Sequence, residues 1–153
     1  MCPVGIVHGD LNYANVMIEQ RVSPMRGRTI SDIWLIDFAR TRRDLIMHDF
    51  AVMFAATVEL LDIDLSNIVV RAVFAKGDQL PPTQMTGRCI AFIYAILRRI
   101  RRAALAAGVS QDMFALGIAL SLMMTFRMAF RYNRFYAAAN GMLKAAEEIV
   151  ERL

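Results

Sequence analysis

At Asp44 the period of the sequence changes, and that change limits the chain to an arrangement of strands followed by helices. Before it lie short β-rich runs broken by turn residues, with Asn15–Glu19 and Ile33–Asp37 as the expected strands. Between them, residues 20–32 contain Ser23-Pro24, Gly27 and several arginines, which predicts a polar hairpin connection. After it the pattern is helical. Residues 44–61 are apolar on nearly every side, as a helix in the middle of a core must be. A shorter helix is expected within 62–76, from near Ser66 to Gly77, and Pro81-Pro82 marks a loop. A third helix is expected over 84–107, where Ile90, Ile93, Leu97 and Ile100 recur at helical spacing and Arg98, Arg99, Arg101 and Arg102 take the other faces. Gly108 ends it, Ser110 caps a fourth helix through Phe130, and a last helix covers 140–152. With 153 residues, 57% of them hydrophobic, the chain has material for one core and little for a second. It is therefore read as a single domain, 1–153, with loops and hairpin in 1–43 and a helical subdomain in 44–153.

Chemistry concentrates in the first part. His8-Gly-Asp-Leu-Asn-Tyr-Ala-Asn15 places a carboxylate and a carboxamide five residues apart in a loop that runs into a strand. Phosphoryl transfer to a hydroxyl needs such a pair, an aspartate to orient the acceptor and take its proton and an asparagine oxygen to ligate Mg²⁺. A second carboxylate, Asp37, arrives at the end of the next strand, and a hairpin would bring it close to Asn15. Asp49 stands inside an apolar helix with Leu45, Ile46, Val52 and Met53 on its own side, so its carboxylate requires donors.

The pattern H-G-D-L-x-x-x-N followed by a hydrophobic strand ending in I-D-F resembles the aminoglycoside phosphotransferase and choline kinase branch of the protein-kinase-like superfamily. The wording H-G-D-L-N, I-D-F-A-R-T and D-F-A is also similar to the kinase-like "ternary complex associated" domains of bacterial signalling and conflict systems. The resemblance covers about residues 4–54. It implies Asp10 as catalytic base, His8 as a brace of the catalytic loop, Asn15 and Asp37 as metal ligands, and Asp49 as an acceptor for backbone N–H groups of that loop. It implies Mg²⁺ and ATP, and an α+β, mainly α fold: a short N-terminal β-hairpin with the catalytic loop, then a helical bundle, the C-lobe of a kinase-like protein without the N-lobe.

A complete site of that kind also has a glycine-rich flap and a lysine for the nucleotide phosphates. The only lysines are Lys76 and Lys144, both after the motif, and no Gly-rich phosphate loop occurs. The expectation is a fragment or truncated relative that does not turn over by itself, or a non-catalytic pseudokinase-like interaction module. The arginines Arg40, Arg42 and Arg43 follow Asp37, and Arg40 is a candidate phosphate contact because the guanidinium fork suits phosphate oxygens.

Partners follow from the apolar excess. A mean hydropathy of +0.40 predicts either docking to the missing lobe or another chain, or dimerisation. The Arg98–Arg102 cluster lacks interleaved aromatics and reads as a solvated helix face rather than a nucleic-acid site; a membrane-surface role is the weaker alternative. His48 is expected in the core or at its boundary, and the eleven methionines as adaptable core filler. The most apolar stretch, Met113–Phe126, has 14 residues where a membrane span needs about 20, and no signal peptide is apparent, so a cytoplasmic protein is expected. Cys2 and Cys89 have no metal-like spacing and read as ordinary thiols.

Overall fold

The computed structural model describes residues 2–25, 27–60 and 88–131, with Val73 and Glu147 as single positions. The helices expected within 62–76 and 140–152, and both lysines, lie outside the described residues. The described chain runs β1 (Val4–Val7), β2 (Val16–Ser23), β3 (Gly27–Leu35), β4 (Arg42–Leu45), α1 (Met47–Val58), α2 (Arg88–Ala106) and α3 (Gln111–Arg131). Single 3₁₀ turns at Tyr13–Asn15 and Phe38–Arg40 precede β2 and β4.

The strands form two separate two-stranded antiparallel sheets, β1 with β4 and β2 with β3. This corrects the expected architecture of a short hairpin followed by a helical bundle. The first sheet, Val4 opposite Leu45 through Val7 opposite Arg42, was not expected, and it ties the start of the described chain to the entry of α1. Helix α1 accordingly begins at Met47, after β4, and not at Asp44. Nor is the hairpin short. Its strands have eight and nine residues, and most of the stretch read as a polar connection is strand, with a bulge where Glu19 and Gln20 meet β3. The arginines there do not break the strand because both faces of the ribbon are open to solvent, with Arg21 on one and Arg28 on the other.

The core is built on α1. Ala51, Phe54, Ala55 and Val58 recur at i, i+3, i+4 and i+7 and are buried, giving the stripe that a central helix presents to its neighbours. Helices α2 and α3 both pack on it. Phe54 meets Phe114 of α3 edge-on at 5.8 Å, Leu97 of α2 and Ile118 and Leu122 of α3 are fully buried beside them, and Gly117 brings α3 against Met47 and Ala51. Added at Gly117, a Cβ would lie 3.2 Å from the Met47 sulfur and 3.3 Å from the Ala51 Cβ, so the absent side chain sets the distance between these helices.

Helix α2 ends as its sequence predicts. Gly108 is left-handed at φ +86, its N–H donates to Leu105 O and the N–H of Val109 donates to Ala104 O, the paired closure that a glycine after a helix allows. Ser110 Oγ then accepts from Met113 N–H at 3.4 Å at the start of α3. Replacing Ser110 by Ala is expected to cost about 0.5–1 kcal/mol in urea unfolding, the lower part of the usual cap range because the bond is long. Of the arginine cluster, Arg99 and Arg102 are exposed, whereas Arg98 lies 5.6 Å from the Tyr94 ring centroid and Arg101 Nη2 donates to Gln111 Oε1 at 3.2 Å. Among the described residues no helix is long and apolar enough to cross a membrane.

Candidate functional site

The loop from His8 to Asn15 is fixed from three sides. From below, the Asp49 carboxylate in the first turn of α1 accepts the His8 N–H on Oδ2 at 2.7 Å and the Gly9 N–H on Oδ1 at 2.9 Å. Two amides of an irregular segment that would otherwise lack partners are thereby satisfied by one charged group. His48, the residue before Asp49, adds a contact from its Nε2 to Gly9 O at 3.3 Å. The α1 N-terminus thus grips the loop at consecutive residues.

The second side is the segment after β3. His8 is buried, and its Nε2 lies 2.7 Å from Ile36 O. A carbonyl only accepts, so Nε2 carries a proton here, and Nδ1 is buried with no hydrogen-bond partner among the described residues. The His8 ring also packs on Phe38, with centroids 4.9 Å apart and planes tilted by 50°. His8 therefore links the residues that precede and follow Asp37.

The third side is internal to the loop. Asn15 Nδ2 donates to Asp10 O at 2.8 Å, and Asn12 Nδ2 donates to Asp10 O at 3.2 Å and to Asp10 Oδ1 at 3.1 Å. Asn12 Oδ1 accepts from Ala14 N–H at 2.9 Å and caps the 3₁₀ turn. With its nitrogen turned to the backbone, Asn15 keeps its amide oxygen as the group able to meet a cation. Asn12 and His48 were not assigned to the site from sequence. An asparagine immediately before a turn is a readable Asx signal, whereas His48 carried none.

Asp37 sits where the two connections meet. Ile36 N–H donates to Asn15 O at 3.0 Å, which continues the hairpin register by one pair and leaves Asp37 as the next residue. Asp37 adopts φ 59, ψ 65 and is the one non-glycine residue with positive φ among those described. An L-residue held left-handed costs on the order of 1–2 kcal/mol, and its side chain makes no capping bond that would offset this. Its carboxylate is exposed at the mouth of the loop.

Arg40 Nη1 stands 3.7 Å from Asp10 Oδ2, with the arginine exposed and the aspartate partly covered. The pair is too exposed to contribute much stability, but it puts a guanidinium beside the candidate base. Arg42 pairs with Asp44 instead, with Nε and Nη2 both 2.8 Å from Asp44 Oδ2, while its Nη1 donates to Arg40 O at 3.4 Å beside Gly9. The Leu45 N–H and the Arg42 side chain hold the Asp44 carboxyl below its ordinary range.

The sequence-assigned residues are thus arranged around one loop: Asn15 and Arg40 each contact Asp10, His8 and Asp49 hold the backbone, and Asp37 follows the residue bonded to Asn15. Among the described residues no three His, Cys, Asp or Glu side chains cluster as a metal-binding group. Two carboxylates and one carboxamide oxygen remain, all hard oxygen donors. That set suits Mg²⁺, which keeps several waters and takes one or two carboxylates plus phosphate oxygens, better than a cation that needs a full cage of side chains.

A family model described as ternary complex associated domain 9 matches residues 2–113, which includes the loop, both sheets, α1 and α2. No curated protein and no solved structure matches the chain.

Proposed function

The chain belongs to the ternary complex associated domain 9 family, and on that premise we propose that it carries a kinase-like phosphotransferase site in which residues 8–15 and Asp37 recognise a Mg²⁺-bound nucleotide within a multi-protein assembly. Asp10 is the group placed to accept a hydroxyl proton, Asn15 and Asp37 are the ligands, and Arg40 is the cation available to a phosphate once it leaves Asp10. Mg²⁺, when bound, supplies charge neutralisation on the phosphate oxygens. The remaining work belongs to the chain: Asp49 and His8 keep the loop rigid, and Asn12 fixes the Asp10 carboxylate. Protein partners are in keeping with membership of a family described by its association with ternary complexes.

The observation that carries this reading is the conformation of Asp37. A left-handed, exposed aspartate with no capping bond, beside an asparagine whose nitrogen is engaged, leaves side-chain oxygens that the described fold does not use and that a cation could take. Calorimetric titration with MgATP tests it. Wild type should bind with a Mg²⁺-dependent heat, and Asp37→Ala should bind at least tenfold more weakly. Equal and negligible heats for the two would defeat nucleotide recognition by this chain. Asp37→Gly should also lose binding while gaining roughly 1 kcal/mol in urea unfolding, because glycine accepts the left-handed backbone without strain. A stability gain accompanied by a binding loss is the trade expected of a functional residue.

The second reading is an interaction module without turnover. It is favoured by the Arg40–Asp10 pair, which occupies the candidate base with an internal cation. Arg40→Ala separates the two: under the first reading it weakens MgATP binding, and under the second it leaves no binding to weaken.

A further inference from the structure

The β2–β3 hairpin has an apolar face that the loop site does not use. Its register sorts Val16, Ile18 and Val22 of β2 with Ile30, Ile33 and Leu35 of β3 on one face, interrupted only by Gln20 and, near the tip, Arg28. The opposite face mixes Met17 and Trp34 with Glu19, Asp32, Arg21 and Thr29, and there Arg21 and Glu19 lie 3.8 Å apart as an ion pair. Five of the six apolar residues, all but Val16, are 44–74% exposed. A two-stranded ribbon is marginal in water by itself, and a face of this kind leaves on the order of 500 Å² of apolar surface, the size that marks an interaction site.

We infer that this face is covered by the same face of a second copy of the chain, with the two hairpins stacked antiparallel about a two-fold axis. Three features favour a copy over an unlike partner. The face carries one charge, so two of them meet with little repulsion. That charge, Arg28, stands at the tip, and antiparallel stacking carries it to the base of the other hairpin, where the carboxylates of Asp10 and Asp37 lie; the contact is then self-complementary, as a two-fold interface requires. Two such faces together remove on the order of 1,000 Å² from water, the lower limit of a specific interface, so the expected dimer is a weak, reversible one.

Sedimentation equilibrium of the 153-residue chain over a concentration series tests it. Wild type should fit a monomer–dimer equilibrium, and Ile33→Glu and Val22→Glu should each raise the dissociation constant at least tenfold. Trp34→Glu, on the opposite face, should leave it within about twofold. Circular dichroism checks that each variant folds, and if Ile33→Glu does not, Val22→Glu near the tip carries the comparison. A wild type that stays monomeric throughout, or that forms open aggregates, overturns the inference, as does a Trp34→Glu variant weakened as much as Ile33→Glu.

Discussion

Gly9→Ala is expected to lower stability by about 3–4 kcal/mol, the sum of a left-handed backbone penalty and a steric one. Gly9 is left-handed at φ +81, and a Cβ there would lie 2.4 Å from Arg40 O, 3.1 Å from Arg40 C and 2.8 Å from Arg42 Nη1. The arginine side chain can move aside. The Arg40 carbonyl cannot, because it belongs to the 3₁₀ turn that follows Asp37, so the methyl group must drive the two connections apart. Gly27 supplies the comparison, since it is also left-handed, at φ +68, but a Cβ added there would meet nothing within 4 Å. Gly27→Ala should therefore cost only the conformational part, roughly 1 kcal/mol. Urea unfolding of the two variants isolates the steric component, and equal losses would mean that the contact between Gly9 and Arg40 is not restrictive.

The second large effect is at Asp49. Asp49→Ala removes the acceptor of two loop amides at once and is expected to cost about 2–4 kcal/mol, the loss of a charge-assisted pair plus the exposure of two unsatisfied donors. Asp49→Asn should cost nearly as much although it is almost isosteric. The amide can present its oxygen to one N–H only, and its NH₂ then faces the other donor. It also removes a negative charge from the first turn of α1, where the helix dipole favours one. An Asp49→Asn variant as stable as wild type would show that one of the two bonds carries no free energy.

What could be read from the sequence depended on how local the signal was. Asp49 stood out because a carboxylate on an apolar helix must find donors, a requirement that holds whatever the distant contacts are. Gly108 and Ser110 were legible for the same reason, since each acts on backbone groups within a few residues. The β1–β4 sheet was not legible. Its strands have four residues each, lie far apart in the chain, and one of them begins Arg-Arg, so neither period nor composition marks a ladder that exists only through tertiary pairing. The length of the hairpin was missed because arginine and Ser-Pro resemble loop composition, whereas on a ribbon open to solvent a charged residue costs nothing. Within the site, Asp10, Asn15 and Asp37 were singled out by the resemblance of the H-G-D-L-x-x-x-N and I-D-F motifs to kinase-like proteins, but the partners that orient them carry no such mark. His48 acts through a single hydrogen bond whose geometry no spacing rule encodes, whereas Asn12 makes three, of which only the Asx bond from Ala14 N–H has a sequence signal.

The grip of Asp49 on the His8 and Gly9 amides also assigns the loop to a unit of local opening. Both amides belong to irregular backbone, where exchange with solvent is ordinarily fast, yet releasing them requires the first turn of α1 to open. In a native-state hydrogen-exchange experiment they should follow the protection of that helix and not that of the hairpin, even though the hairpin is nearer in sequence. The loop would then be lost and regained together with α1, so the hairpin can fray from its tip while the backbone at His8 and Gly9 stays in place.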